Sequence, residues 1–267
     1  MNWAPINTGT AGQILNQLTG RTASTLNLGT LGTNTYDALQ SRLQGRFNSL
    51  QLNFTYTFAK AMGYAITPAV AIPQYYHLNR GPQSTDMTHM FSSSAVTELP
   101  FGKGKRWAQS GVTSKLAGGW QFSTVITAHT GTPFTATSSS ASLNSPNSTQ
   151  FADCLSTPQK LNDIYGWYAK SAFGVPSAGR FGTCGTNSLR GPGLVNADLG
   201  LERKVNFSEK CQLTFRAEMF NLANTPHHSN PVGNVTSGTF MQALGIVSTG
   251  REGIEQRALR FGLRLGF

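Results

Sequence analysis

The groups able to do chemistry in this chain are few and scattered. Five histidines are present: His77, His89, His129 and the adjacent pair His227 and His228. Imidazole is a good zinc or copper ligand, but a site needs three or four donors converging on one point. Adjacent side chains on a strand point to opposite faces, and no Cys-x-x-Cys or Cys/His spacing accompanies them. These histidines are read as surface loop residues, and no metal or cofactor is expected. Ser, His and Asp all occur, but no G-x-S-x-G elbow does. The basic stretch Gly102-Lys103-Gly104-Lys105 lacks the spacing of a phosphate-binding loop. No catalytic residue is assigned, and the chain is not expected to be an enzyme. Of the three cysteines, Cys154 and Cys184 lie in one loop-like region and could pair in an oxidising compartment. Cys211 starts a strand and reads as a small apolar residue.

The remaining polar groups fall on a regular pattern. Over residues 256–267, Leu259, Phe261, Leu263, Leu265 and Phe267 occupy every second position, with Arg260, Gly262, Arg264 and Gly266 between them. Side chains alternate across a strand, so one face is an apolar stripe and the other is small or cationic. Arg216 and Glu218 alternate in the same way with Phe215, Ala217 and Met219. The strand at 256–267 ends on an aromatic residue. That suits the closing strand of an outer-membrane β-barrel, with Leu259, Phe261, Leu263, Leu265 and Phe267 toward lipid. Arg216, Glu218, Arg260 and Arg264 are then expected to face the lumen, as an ion-pair ladder that holds register.

Composition agrees with strands. Hydrophobic residues make up 39% of the 267, charged residues only 12%, and glycine is abundant at 29. Mean hydropathy is −0.22. No run of 18 apolar residues occurs, which excludes a transmembrane helix. It does not exclude a barrel, because only alternate positions of each strand need be apolar. The net charge of +10 attracts anions in general. With no dense basic run and no recognition helix, nucleic acid is not an expected partner; Lys and Arg are read as lining a lumen and capping strand ends. The start, Met1 to Ile6, has neither a charged nor an apolar region of a signal peptide, so the chain is expected to be a carboxy-terminal piece of a longer protein.

Along the chain, residues 1–34 read as a loop or truncated start, and 35–267 as barrel. Residues 35–62 read as a hairpin turning at Asn48 and Ser49. There Gln40, Arg42, Gln44 and Arg46 oppose Leu39, Leu43 and Phe47. Strands are expected over 86–99 and 119–131, joined by a basic Gly-rich turn at 100–107. A second hairpin over 193–224 turns at Ser208 and Glu209. Residues 63–85, 132–192 and 225–255 read as long loops, the second with a short helix near Ile164–Tyr168. Tyr36, Phe47, Trp107 and Trp120 are candidates for the aromatic girdles at the membrane interfaces. The expected fold is all-β: an antiparallel meander of about seven or eight strands, part of a larger transmembrane barrel. Short turns on one side would be periplasmic and long loops extracellular.

Several motifs occur in order: YDALQ at 36–40, YTFAK at 56–60, NRGP at 79–82, ELPFGKGKRW at 98–107 and GGWQ at 118–121. TGTPF at 130–134, NSLRGPG at 187–193, RAEMFNLAN at 216–224 and the final Phe267 follow. Together they resemble the carboxy-terminal barrel of TonB-dependent outer-membrane receptors, in the Oar-like group that carries an amino-terminal carboxypeptidase-regulatory-like domain. The resemblance spans roughly residues 36–267. It implies a wide barrel with an amino-terminal plug and a TonB box, neither of which this chain contains. It also implies uptake of a ligand by the whole receptor in the outer membrane of a Gram-negative bacterium. The implied partners are outer-membrane lipid and lipopolysaccharide, the barrel-assembly machinery through the last strand, and TonB only through the missing part. The alternative class is a soluble carbohydrate-binding or adhesin-like β domain. It would need exposed loop aromatics, and Trp167, Tyr165 and Tyr168 form the one such cluster.

Overall fold

A computed structural model describes residues 32–64, 70, 73–139, 150–208, 211–247 and 255–267. The proposed truncated start lies largely outside these, since residues 1–31 are not described. Seven long strands form one sheet: β1 (Thr35–Phe47), β2 (Leu50–Tyr64), β3 (His89–Glu98), β4 (Trp120–His129), β5 (Leu194–Ser208), β6 (Cys211–Phe220) and β7 (Ala258–Gly266). Their order in the sheet is their order in the chain, and each pairing is antiparallel. The short segment Arg80–Pro82 adds an eighth strand beside the end of β2. The fold is therefore the antiparallel meander that the alternation implies. Among the described residues β1 and β7 each pair on one side only, so the sheet is not closed.

Apart from a register shift between Asn206 and Ser208 at the turn end of the β5–β6 pair, every strand keeps one parity across the register. On one face, Leu43 lies opposite Phe54, Phe91 opposite Ala128, Leu199 opposite Met219, and Phe215 opposite Leu263. On the other, Arg42 lies opposite Thr55, Ser94 opposite Val125, Glu202 opposite Arg216, and Glu218 opposite Arg260. The strands are 9 to 15 residues long, enough for a tilted strand to cross the apolar part of a bilayer. The apolar face is bare: Leu43, Phe261 and Leu263 are 67%, 68% and 71% exposed. Each such side chain left in water forgoes about 1.5–3 kcal/mol of burial, so this face calls for an apolar solvent.

The connections sort by end. At one end, Asn48 and Ser49 make a tight turn in which Asn48 takes φ 52°. Ser208, expected in the turn of the second hairpin, instead ends β5 and pairs with Cys211; positions 209–210 are not described. The third connection at this end, 99–119, is longer than the expected basic turn and includes a helix, α1 (Gly111–Ala117). The long connections lie at the opposite end.

Those long segments hold the hydrophobic core. Phe134, Trp167, Phe173, Leu189, Phe240 and Met241 pack together with Ala136, Ala152, Ala172 and Cys184. Short ladders brace the layer: Phe134 opposite Leu189, Thr137 opposite Phe151, and Cys154 opposite Phe173. The sequence reading of 132–192 as an irregular loop is thus corrected to a folded cap, with residues 140–149 not described. The helix expected near Ile164–Tyr168 is instead a hairpin, Lys160–Asp163 with Gly166–Tyr168. The backbone N–H of Tyr165 donates to Asp163 Oδ1 at 3.1 Å, and that local acceptor turns the chain back in place of a helical turn.

Buried polar pairs join the loops. Asp86, 3% exposed, forms an ion pair with Arg190 and accepts from the Ala61 N–H at 2.6 Å. Arg190 also donates to the carbonyls of Asp86 and Gly131. At Gly131 two chain passes nearly touch; a Cβ there would lie 2.0 Å from the Gly191 carbonyl oxygen. Breaking a buried pair leaves an uncompensated charge, so Arg190→Ala should destabilise the cap by roughly 3 kcal/mol. Hydrogen exchange should then show faster exchange at residues 80–88 and 131–139, with the amides of β5 and β6 unchanged. Unaltered protection at 80–88 would show that the pair does not hold the loops.

Candidate functional site

The polar face of the sheet and the cap above it form the candidate site. Its floor is built by strand alternation alone: Arg42, Gln44 and Arg46 on β1, Gln51 and Asn53 on β2, Glu202 and Lys204 on β5, Arg216 and Glu218 on β6, and Arg260 and Arg264 on β7. Arg42 Nε donates to Asn53 Oδ1 at 3.0 Å across the β1–β2 pair. An open groove of about 670 Å³ runs along these residues toward Ser94 and Val96. At the other edge, Glu218 accepts from Arg216 at 2.7 Å, with Arg260 at 3.9 Å. Glu202 meets Lys204 at 3.2 Å and stands opposite Arg216 in register. Arg216, Glu218 and Arg260 therefore come together as a ladder. Arg264 shares their face but stands opposite Thr214.

Such half-exposed pairs are each worth about 0–1 kcal/mol in water. They act mainly on register: a one-residue slip of β7 would carry Arg260 and Arg264 to the apolar face and Phe261 and Leu263 to the polar one.

The cap closes the loop end of this face and leaves the apolar face uncovered. Ala59, Asn196 and Asp198, on the polar face near the loops, are 3%, 2% and 8% exposed. Their sequence neighbours Phe58 and Val195, on the apolar face, are 47% and 63% exposed. Asp198 anchors the arrangement. Its Oδ1 accepts from the Asn221 N–H at 3.0 Å and from Asn196 Nδ2 at 2.8 Å. Asn221, at φ 50°, ends β6 and closes the next turn by exchanging hydrogen bonds with Thr225. A short polar side chain is suited to that left-handed backbone. His227, expected at the surface, is 2% exposed, with Nε2 3.0 Å from the Val195 carbonyl oxygen. His89 and His129 sit at strand ends rather than in loops. His89 lies 2.8 Å from the Tyr56 hydroxyl through Nδ1 and packs on Phe58. Among the described residues no group of three or more His, Cys, Asp or Glu side chains could hold a metal ion.

Two further clamps lie within the cap. A disulfide joins Cys154 and Cys184, with Cα atoms 5.0 Å apart and a sequence separation of 30. Beside it, Arg180 makes an ion pair with Asp153, whose Oδ1 also accepts from the Thr183 N–H at 3.2 Å. The hydrogen bond from Arg180 to Asp153 raises the guanidinium above its ordinary range, and arginine stays charged at any physiological pH. Cys211 is free and half-buried at the start of β6.

The aromatic residues divide. Phe47 and Trp120 lie on the apolar face near the short-turn end, Trp120 edge-on to Phe215 at 6.0 Å. Tyr36 stands opposite Ala61 on the polar face, so it does not share the face of Phe47 and Trp120. Trp167 and Tyr168 are each 8% exposed, inside the cap, and Trp167 donates to the Arg190 carbonyl at 2.8 Å. Only Tyr165 of that trio is exposed, at 63%. A sugar-stacking platform needs open ring faces, which the trio does not provide.

Sequence reasoning missed Asp86, Asp198, Asn221 and His227 as anchors and Arg203 on the apolar row. Arg190 stood within a motif, but its role depends on contacts across 104 positions, which strand periodicity does not show.

A family model described as an outer membrane beta barrel domain matches residues 1–258. No curated protein and no solved structure matches the chain. The disulfide closes a 30-residue span, worth about 3–4 kcal/mol in the chain-entropy model. Cys184→Ser should therefore make the cap, residues 150–192, the first segment cut in limited proteolysis, with the strand hairpins still protected. Equal cap resistance in variant and parent would refute that contribution.

Proposed function

This chain belongs to the outer membrane beta barrel domain family, and on that premise we propose that it forms the carboxy-terminal part of a larger barrel, that of a TonB-dependent receptor taking up a ligand. The family places it in the cell outer membrane. One observation supports the larger barrel most directly. Six successive antiparallel pairings leave β1 and β7 running in the same direction, so joining these two edges would give a parallel pair in an otherwise antiparallel sheet. Barrels of this kind close with even strand numbers, so further strands must complete the ring.

In this reading the apolar face, with Leu259, Phe261, Leu263, Leu265 and Phe267, meets lipid. Arg216, Glu218, Arg260 and Arg264 face the lumen. The cap is extracellular, near lipopolysaccharide, and folds inward over the lumen mouth as a preformed lid on the ligand path. The free edge of β7 is the surface offered to the barrel-assembly machinery by strand addition. The receptor role is tested on the native product. Antibodies to the cap should detect, in outer-membrane fractions, a polypeptide much longer than 267 residues that cross-links to TonB. A product of the present length with no TonB cross-link would overturn the receptor reading.

The face assignment has its own test. Arginine on the lipid side near the bilayer midplane costs about 2–4 kcal/mol, whereas lumen substitutions are mild. Leu263→Arg should lower the amount of protein in the outer-membrane fraction, and Arg264→Gln should leave it near the parent level. Equal losses for the two variants would reverse or abolish the assignment of faces.

A further inference from the structure

Among the described residues, the connection 99–119 at the short-turn end is an element that neither the barrel wall nor the cap accounts for. It contains Lys103, Lys105, Arg106 and Lys115 and no acidic residue. Its ends are brought together by glycines: a Cβ on Gly102, which takes φ 107°, would lie 2.7 Å from the Gly118 Cα. Lys105 is used locally, at 2.5 Å from Glu98. Lys103, Arg106 and Lys115 are exposed. Helix α1 has no buried residue. Val112 and Leu116, one turn apart, are 71% and 65% exposed, and Trp107 is 50% exposed under the Arg106 guanidinium.

The helix is tied to a definite side of the sheet. Trp120 Nε1 donates to the Leu116 carbonyl at 3.3 Å, and Arg203 donates to the Lys115 carbonyl. Trp120 and Arg203 stand opposite each other in register on the apolar face, with the Arg203 guanidinium 5.4 Å from the Trp120 ring centre. The sheet thus holds α1 at the rim of its apolar face, with two apolar side chains and several cations open to solvent.

We propose that this segment is an interfacial anchor that binds the anionic phospholipid headgroups of the periplasmic leaflet. The proposal rests on the apolar face being the lipid-facing one. Val112, Leu116 and Trp107 then continue the apolar band into the headgroup layer, as in amphipathic interfacial helices. Lys103, Arg106 and Lys115 supply the charge that draws juxtamembrane basic segments to anionic lipid. A seven-residue helix is marginal in water by itself, and its tether to Trp120 and Arg203 lowers the ordering cost.

The test uses the protein purified from outer membranes and reconstituted in phosphatidylcholine vesicles. These carry equal amounts of either brominated phosphatidylcholine or brominated phosphatidylglycerol, and tryptophan quenching is read. Comparison with Trp107→Phe isolates the Trp107 signal, and comparison with Trp120→Phe isolates that of Trp120. The Trp107 signal should be quenched more by brominated phosphatidylglycerol, and this preference should vanish in K103Q/R106Q/K115Q. It should also vanish for the unmutated protein in high salt, which screens exposed charges and does not depend on the variant folding. Equal quenching by both lipids, or a preference that survives both treatments, would overturn the anchor while leaving the lipid-facing wall intact. No quenching of Trp120 by either lipid would overturn the assignment of faces, and the anchor with it.

Discussion

Strand parity, kept in register across six antiparallel pairings, is the constraint on which the rest of this structure depends. Side chains alternate with period two, so a strand has one apolar face only if its register is held to the residue. Here Leu39, Phe54, Phe91, Phe122, Leu201, Phe215 and Leu263 share one face through the register alone. The two-residue turn at Asn48 and Ser49 sets it for the first hairpin. The pairing of Glu218 with Arg216 and Arg260 favours it at the last edge. The apolar row stays largely open, with Leu43, Phe261 and Leu263 exposed, while the backbone groups find partners in adjacent strands.

The cap solves a different problem. Its core is small, made of a few aromatic side chains over Ala136, Ala152 and Ala172. A layer with so few large side chains gains limited hydrophobic stabilisation, and it is braced by cross-links of other kinds. The disulfide, the Asp86–Arg190 and Asp153–Arg180 pairs and the Asp198–Asn221 hydrogen bond each join segments far apart in sequence. The burial of Asn196 and Asp198 beside the exposed Val195 shows that these cross-links hold the cap over the polar face and not over the apolar one.

Arg203 shows how one residue that breaks the pattern marks a second feature. A cation on the apolar row is costly in lipid, yet it sits at the strand end, stacked on Trp120 and bonded to the chain of α1. In a wall whose apolar face meets lipid, a long cationic side chain at that strand end would reach the headgroup layer. The exception to alternation and the attachment of the helix have a single cause.

Periodicity by itself determined the seven strands, their antiparallel meander and the two faces, because a two-residue repeat is a local property and hairpin neighbours follow from chain order. The Arg216–Glu218–Arg260 ladder was legible for the same reason, as was the nearness of Cys154 and Cys184 within one loop region. Only the tertiary structure decided that residues 132–192 fold as a cap. Nothing in a run of Ser, Thr, Asn and Pro has a period, and contacts such as Asp86 with Arg190 or Asn187 with the Pro82 carbonyl span more than a hundred positions. It also decided that His227 and Trp167 are interior. Burial depends on what packs above a residue, and in loops that is set by the whole fold rather than by neighbours in the chain.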